Sequence, residues 1–161
     1  MKLRQIVGIF LFHHQEVLMI KRSNRQKIAP GYWSNVGGHM EPEEINDPRA
    51  ACLRELQEET GYQPHEIQDL TLRYIVMGKF NNELHTYYDY TARTQVKKEL
   101  PPCHEGQLQW VKTDELNRYA MPTPLQLLLE HYQDHGNQNG VYVGVLDQDK
   151  SQPKIHWQHL T

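Results

Sequence analysis

The sequence predicts a mixed α/β fold built on a largely antiparallel or mixed sheet, and three observations carry that reading. Runs rich in β-branched, aliphatic and aromatic residues recur along the chain as strand candidates. Two segments, starting at Asp47-Pro48 and at Thr123, carry helix start and stop signals instead. No internal repeat or low-complexity linker divides the 161 residues, a length that suits one domain spanning 1–161.

Taken in order, "LRQIVGIFLF" and "EVLMIKR" read as two strands of a hairpin joined by the tight turn "HHQ". Residues 23–35, "SNRQKIAPGYWSN", carry Pro30-Gly31 and polar breakers and read as a loop ending in a short strand at 35–37. A helix follows, with Asp47 as its cap, Pro48 in its first position and Gly61 as its stop. "IQDLTLRYIVMGKF" and "LHTYYDYTARTQV" should pair antiparallel about an Asn81-Asn82 turn. "KKELPPCHEG" reads as a loop and "QLQWVK" as a strand. "TPLQLLLEHYQDHG" reads as an amphipathic helix capped by Thr123 and stopped by Gly136, and "GVYVGVLD" with "KIHWQHL" as a last hairpin around "QDKSQP".

The net charge of −3 argues against binding to long nucleic acids, which needs clustered basic residues, while leaving small anions open. No apolar run is long enough to span a membrane, and the apolar start is cut short by His13 and His14. With no small-residue cleavage site, a cytoplasmic location is the expectation. Cys52 and Cys103 form no CxxC pair and read as two core thiols in a reducing compartment.

The segment from Gly37 to Tyr62 concentrates the chemistry. It holds six glutamates, and Glu55, Glu58 and Glu59 stand at i, i+3 and i+4, so their carboxylates leave one helix face toward a common point. They also lie near the helix C-terminus, where the macrodipole disfavours anions by roughly 0.3–1 kcal/mol each. Arg54 can serve one of them, and no Lys or Arg occupies the positions four residues beyond. A solvated acidic face is one reading. The other is a platform for a hard divalent ion such as Mg²⁺, which takes a few carboxylate oxygens together with water and substrate phosphates. Gly37-Gly38, just upstream, favour the second, because bare backbone there can approach a ligand and offer a carbonyl.

The order Gly38, five residues, Glu44, then Arg54-Glu55-Leu56-Gln57-Glu58-Glu59-Thr60-Gly61-Tyr62 resembles the signature box of the Nudix hydrolases. Every fixed residue type of that box is present. One departure stands out: nine residues rather than seven separate Glu44 from Arg54, an insertion best placed in "INDP" ahead of the helix. The resemblance implies the Nudix fold, a mixed β-sheet sandwiched between α-helices. It also implies Mg²⁺, with Mn²⁺ as a substitute, held by Glu55, Glu58, Glu59 and the Gly37 carbonyl. Arg54 would orient Glu55, and Glu44 would pair with Arg54 across the longer loop. A later-loop glutamate is expected as well, with Glu105 preferred and Glu99 competing, to bind metal or act as general base. The reaction implied is attack of a metal-activated water on a nucleoside diphosphate linked to another group, the proton going to Glu58 or Glu105.

Substrate recognition is less legible. Lys21 and Arg22 could grip phosphate, Tyr32 and Trp33 could stack on a base or simply pack, and His39 stands where relatives often carry Lys. Asn35 and Gly38 complete the expected substrate contacts. The "QLQWVKTDEL" strand and Met121 resemble MutT-type nucleoside triphosphatases that clear oxidised nucleotides. Yet "MPTPLQ" lacks their acidic pair, and no Pro or Tyr follows between Gly78 and Leu84 to mark ADP-ribose or dinucleoside-polyphosphate hydrolases. The leading expectation is therefore a small nucleotide as partner, a nucleoside triphosphate cleaved to monophosphate and pyrophosphate. A nucleotide-sugar hydrolase and a nucleotide-binding regulator are the alternatives, in a monomer or homodimer. His131 and His135 share a helix face but lack a third ligand or an HExxH motif, so a zinc site is set aside.

Overall fold

The computed structural model describes residues 1–27, 29–148 and 151–161. Its strands are β1 (Lys2–His13), β2 (Glu16–Arg22), β3 (Trp33–His39), β4 (Gln68–Phe80), β5 (Glu83–Arg93), β6 (Gly106–Lys112), β7 (Val141–Asp147) and β8 (Lys154–Leu160). Two helices, α1 (Pro48–Thr60) and α2 (Thr123–His135), complete the architecture. All eight strands join one mixed sheet in the order β6-β2-β3-β1-β5-β4-β7-β8, with β1–β5 and β4–β7 parallel and the other pairs antiparallel.

The alternation along β1 explains the layers. Val7, Ile9 and Leu11 point into one core with Ala51, Cys52 and Leu56 of α1, while Phe10 points into the other with Leu128 of α2. A strand covered on both faces reads as an unbroken apolar run, as "IVGIFLF" does. The expected α/β sandwich is the fold observed.

The β1–β2 hairpin keeps its own pairing only at Phe12–Val17 and His13–Glu16, then opens to admit β3. Trp33 to Asn35 pair with β2, and Val36 to His39 pair with β1. β3 is thus longer than the short strand expected, because both open edges supply partners. Asn81 and Asn82, with φ of 46° and 62°, make the tight turn between β4 and β5.

Helix α1 starts and stops where the sequence indicates. Asp47 accepts a hydrogen bond from Ala50 N at 3.0 Å, and Gly61 closes the helix at φ 74°. Tyr62 then plugs the core, fully buried, and its hydroxyl donates to Val96 O at 2.7 Å. Helix α2 differs at its start. Thr123 is its first helical residue rather than its cap, which is Pro122 and makes no side-chain bond. The Gln126 side chain instead donates to Met121 O at 2.9 Å, tying the helix to the segment before it.

β7 and β8 pair from Val141–Leu160 to Asp147–Lys154, as the expected last hairpin requires. Within its "QDKSQP" turn, residues 149 and 150 lie outside the described residues, as does residue 28 of the loop before β3. His131 and His135 stack at 4.1 Å against Tyr142, and His131 hydrogen-bonds Tyr74 Oη at 3.0 Å, so both serve packing. Both cysteines are free thiols, and burial pushes Cys52 up to about 12. Among the described residues no helix is long and apolar enough to cross a membrane.

Leu56 is fully buried where α1 meets the sheet. Leu56→Ala should therefore destabilise the protein by about 2–5 kcal/mol, read as a lowered urea midpoint with an unchanged slope.

Candidate active site

With Leu56 pinned in the core, the helical repeat turns Glu55 and Glu59 toward β3 and leaves Glu58 facing outward. Glu59 is the most deeply placed, 7% exposed, and accepts a hydrogen bond from Gly37 N at 3.0 Å. Glu55 lies flat against Gly38, where a Cβ would stand only 2.6–2.7 Å from the carboxylate atoms. Any side chain at 38 would push Glu55 away, which gives this glycine of the box a packing reason.

Arg54 holds three carboxylates, Glu44 and Glu55 as the resemblance implies and Glu58 besides. Its Nε and Nη2 donate to Glu44 at 2.7 and 2.8 Å, and its Nη1 donates to Glu55 at 2.9 Å and to Glu58 at 3.0 Å. Nη2 also donates to His39 O at 3.2 Å. Five donors in a planar fork let one guanidinium do what the i+4 rule assigns to several side chains. The paired guanidinium pulls Glu44 down to about 2. The nine-residue spacing therefore does not part Glu44 from Arg54. A short 3₁₀ turn at Pro42–Glu44 presents the carboxylate, which also accepts from Glu41 N at 2.9 Å.

The remaining charges are left under strain. Burial, and then the Glu105 charge, push Glu59 up to about 8, so without a cation it holds a proton at neutral pH. Burial raises Glu55 too, against the pull of Arg54. Glu105, on the loop before β6, pairs with Arg22 at 3.7 Å, and its charge bears on Glu55, Glu59 and His39. Glu99 stands exposed on the same loop.

The expected meeting of Glu55, Glu58 and Glu59 at one point is realised only in part. Among the described residues no three carboxylate, imidazole or thiol groups are gathered tightly enough to enclose an ion. The physical reason is Arg54, which draws Glu58 to the surface, while Gly37 N holds Glu59 inward. The donor set nonetheless fits a hard cation that keeps several waters and takes one or two carboxylates. Glu59 is buried with no ion pair among the described residues and Glu55 is half-buried and shares Arg54 with two other carboxylates, so both have raised proton affinity that such an ion would offset.

The expected substrate contacts divide. Lys21 is exposed at the end of β2, and Arg22 turns to Glu105. Tyr32 is 43% exposed, whereas Trp33 packs edge-on to Tyr119 at 4.9 Å against the α2-side core. His39 hydrogen-bonds Arg4 at 3.4 Å, beside a cleft of about 350 Å³ that both residues line with Gln5 and Met40. Burial and the Arg4 charge lower the proton affinity of His39. Asn35 donates to Asp89 Oδ1 at 2.9 Å. Asp89 escapes a reading of the sequence by motif. Its signal is a lone acidic residue at an inward position of the aromatic strand "YYDY".

A family model described as the NUDIX domain matches residues 2–132, most of the chain. The chain belongs to the Nudix family. As a Nudix hydrolase it acts on acid anhydride bonds of phosphorus compounds, a family activity that generally uses divalent metal and small nucleotide substrates. Solved structures share its fold. The mutator MutT protein from Bacillus halodurans is 21% identical with a TM-score of 0.65, over 94% of this chain and 97% of that one. The MutT protein from Methanosarcina mazei Go1 is 18% identical with a TM-score of 0.71, over 85% and 97%. An Ap4A hydrolase from C. elegans is 17% identical with a TM-score of 0.67, over 81% and 96%.

Two titrations test these electrostatics. The raised Glu59 stabilises the Nudix fold below its ordinary value near 4.5, and that contribution is lost as pH climbs through about 8. In chelator, Glu59→Gln should flatten the fall in unfolding free energy across that window, measured by urea titration at each pH. The depressed Glu44 works in the opposite sense, stabilising above 4.5 and fading as pH drops toward 2. Arg54→Met should return the Glu44 carboxyl to near 4.5 by NMR titration.

Proposed function

We propose that the protein is a Mg²⁺-dependent Nudix pyrophosphohydrolase of nucleoside triphosphates, oxidised deoxynucleotides among them, releasing monophosphate and pyrophosphate. Residues 1–161 act as one domain. The observation that supports this reading is the pair of carboxylates with raised proton affinity, buried Glu59 and half-buried Glu55, set against the Gly37-Gly38 backbone. Glu55, Glu59, Glu58, Glu105 and the Gly37 carbonyl would hold Mg²⁺, which when bound lowers the pKa of water and neutralises polyphosphate charge.

The chain's own groups do the rest. Arg54 fixes Glu55 and Glu58 at 2.9 and 3.0 Å, so neither has to be ordered when substrate arrives. We assign the proton of the attacking water first to Glu58, whose side chain is 59% exposed and open to water. Glu105, 3.7 Å from Arg22, is the second candidate. The new P–O bond forms as the bridging P–O bond breaks, and the pair of electrons leaves with pyrophosphate. Arg22 and His39, at the rim of the same site, are suited to phosphate oxygens.

A panel of nucleoside triphosphates, nucleotide sugars, ADP-ribose and dinucleoside polyphosphates, incubated with Mg²⁺, tests the assignment. Pyrophosphate should appear from triphosphates, and Glu58→Gln should lower kcat by about 10²–10⁴-fold with little change in KM. Turnover of nucleotide sugars alone, or an undiminished Glu58→Gln enzyme, would overturn it.

A further inference from the structure

Three imidazoles gather around one phenol ring where α2 meets the last hairpin. His131 and His135 leave α2 one turn apart and stack on each other, ring centres 4.1 Å apart and planes within 12°. Tyr142 of β7 receives His131 edge-on at 4.5 Å and His135 at 5.8 Å, and His159 of β8 stacks on it at 4.3 Å. Tyr142 and His159 stand opposite each other in the β7–β8 ladder, so the hairpin's own pairing puts both rings on the face toward the helix. Trp157, two residues before His159 on the same face, closes the group at 4.6 Å from His131. Such contacts are attractive between neutral rings, and two of them bearing positive charge repel at these distances.

Little at this joint offsets that charge. From β4, the Tyr74 hydroxyl meets His131 Nδ1 at 3.0 Å, and Arg73 donates to Gly136 O and Gln138 O, a fixed cation at the same turn. From α2 come Tyr132, packed on Tyr74, and the exposed Asp134, whose charge favours a proton on His131 while those of His135 and His159 oppose it. From the hairpin, Tyr142 and His159 face the cluster. Lys154, and Asp147 with His156 at 3.7 Å, stand on the opposite face of the same ladder. The hydrogen bonds of the outer rings bring no relief. A carbonyl only accepts, so His135 Nδ1 donates to His131 O at 3.1 Å and His159 Nε2 to Asn139 O at 2.7 Å already in the neutral form. A second proton on either ring adds charge and finds no new acceptor among the described residues.

Burial, and then the His135 and His159 charges, lower the proton affinity of His131 from its ordinary 6.5. A base held down in this way stabilises the closed joint above pH 6.5, and the contribution is lost as pH falls through its folded value.

We propose that the junction of α2 with the β7–β8 hairpin is an acid-sensitive latch, shut while its three imidazoles are neutral and driven open when they take up protons. Opening is local: β7 stays bonded to β4, and the start of α2 stays tied to Met121 by Gln126. What it uncovers is the aromatic face of Tyr142 and Trp157, on the α2 side of the sheet and away from the carboxylates of α1.

Amide hydrogen exchange of the full chain, corrected for the intrinsic rate and read at pH 7.5, 6.5 and 5.5, tests the latch. Protection of residues 128–139 relative to β1 should fall by at least about 3-fold from pH 7.5 to 5.5, with acrylamide quenching of tryptophan emission rising alongside. His131→Phe combined with His159→Phe keeps two rings, removes their charges, and should hold that protection level. Constant protection in the wild type, or an equal fall in the double variant, would overturn the latch. Where the double variant does not fold, His135→Gln decides: a smaller fall than in the wild type upholds the proposal and an equal one overturns it.

Discussion

The site depends on one constraint: carboxylates on α1 are pressed against the bare backbone of β3 with fewer cations than charges. Gly38 lets Glu55 lie on the strand, and Gly37 offers Glu59 a single amide. Everything else near the site serves this contact. Leu56, Ala51 and Cys52 fix the height and roll of the helix, Tyr62 pins its end, and Arg54 gathers the charges that can be met from within the chain. What Arg54 does not meet, the burial of Glu55 and Glu59, is the part of the balance that a divalent ion and its ligands can complete.

Arg54 organises the site through geometry more than through strength. A lysine in its place would be a point charge and could not hold Glu44 by two donors while reaching Glu55 and Glu58 with a third. The 3₁₀ turn at Pro42–Glu44 delivers Glu44 to the same fork across the nine residues that separate it from Arg54.

Much of this was legible in the residues. The caps at Asp47 and Gly61, the strand runs and the two-sided burial of β1 follow from short-range rules, so element order and sandwich could be read directly. The box could be read because its chemistry sits on one helix. What escaped was set by pairing between distant segments. The threefold reach of Arg54 needs the turn at Glu44 beside the helix, and the length of β3 needs an opened hairpin. Asp89 meets Asn35 only because β3, β1 and β5 lie side by side, an adjacency no local window contains. Thr123 followed by proline has the pattern of a cap, but Pro122 and the Gln126 side chain set the entry of α2.

The opening of the β1–β2 hairpin also bears on the order in which the molecule assembles. Its tip can zip early, from residues adjacent in the chain, but β3 needs both arms apart, and the parallel seam of β1 with β5 closes a loop of about eighty residues. Contacts of that separation form late, since the entropy of closure is spent before they give anything back. The contact of Glu59 with Gly37 spans only 22 residues, so the carboxylate–glycine contact belongs with the short-range part of the fold and does not wait on that seam.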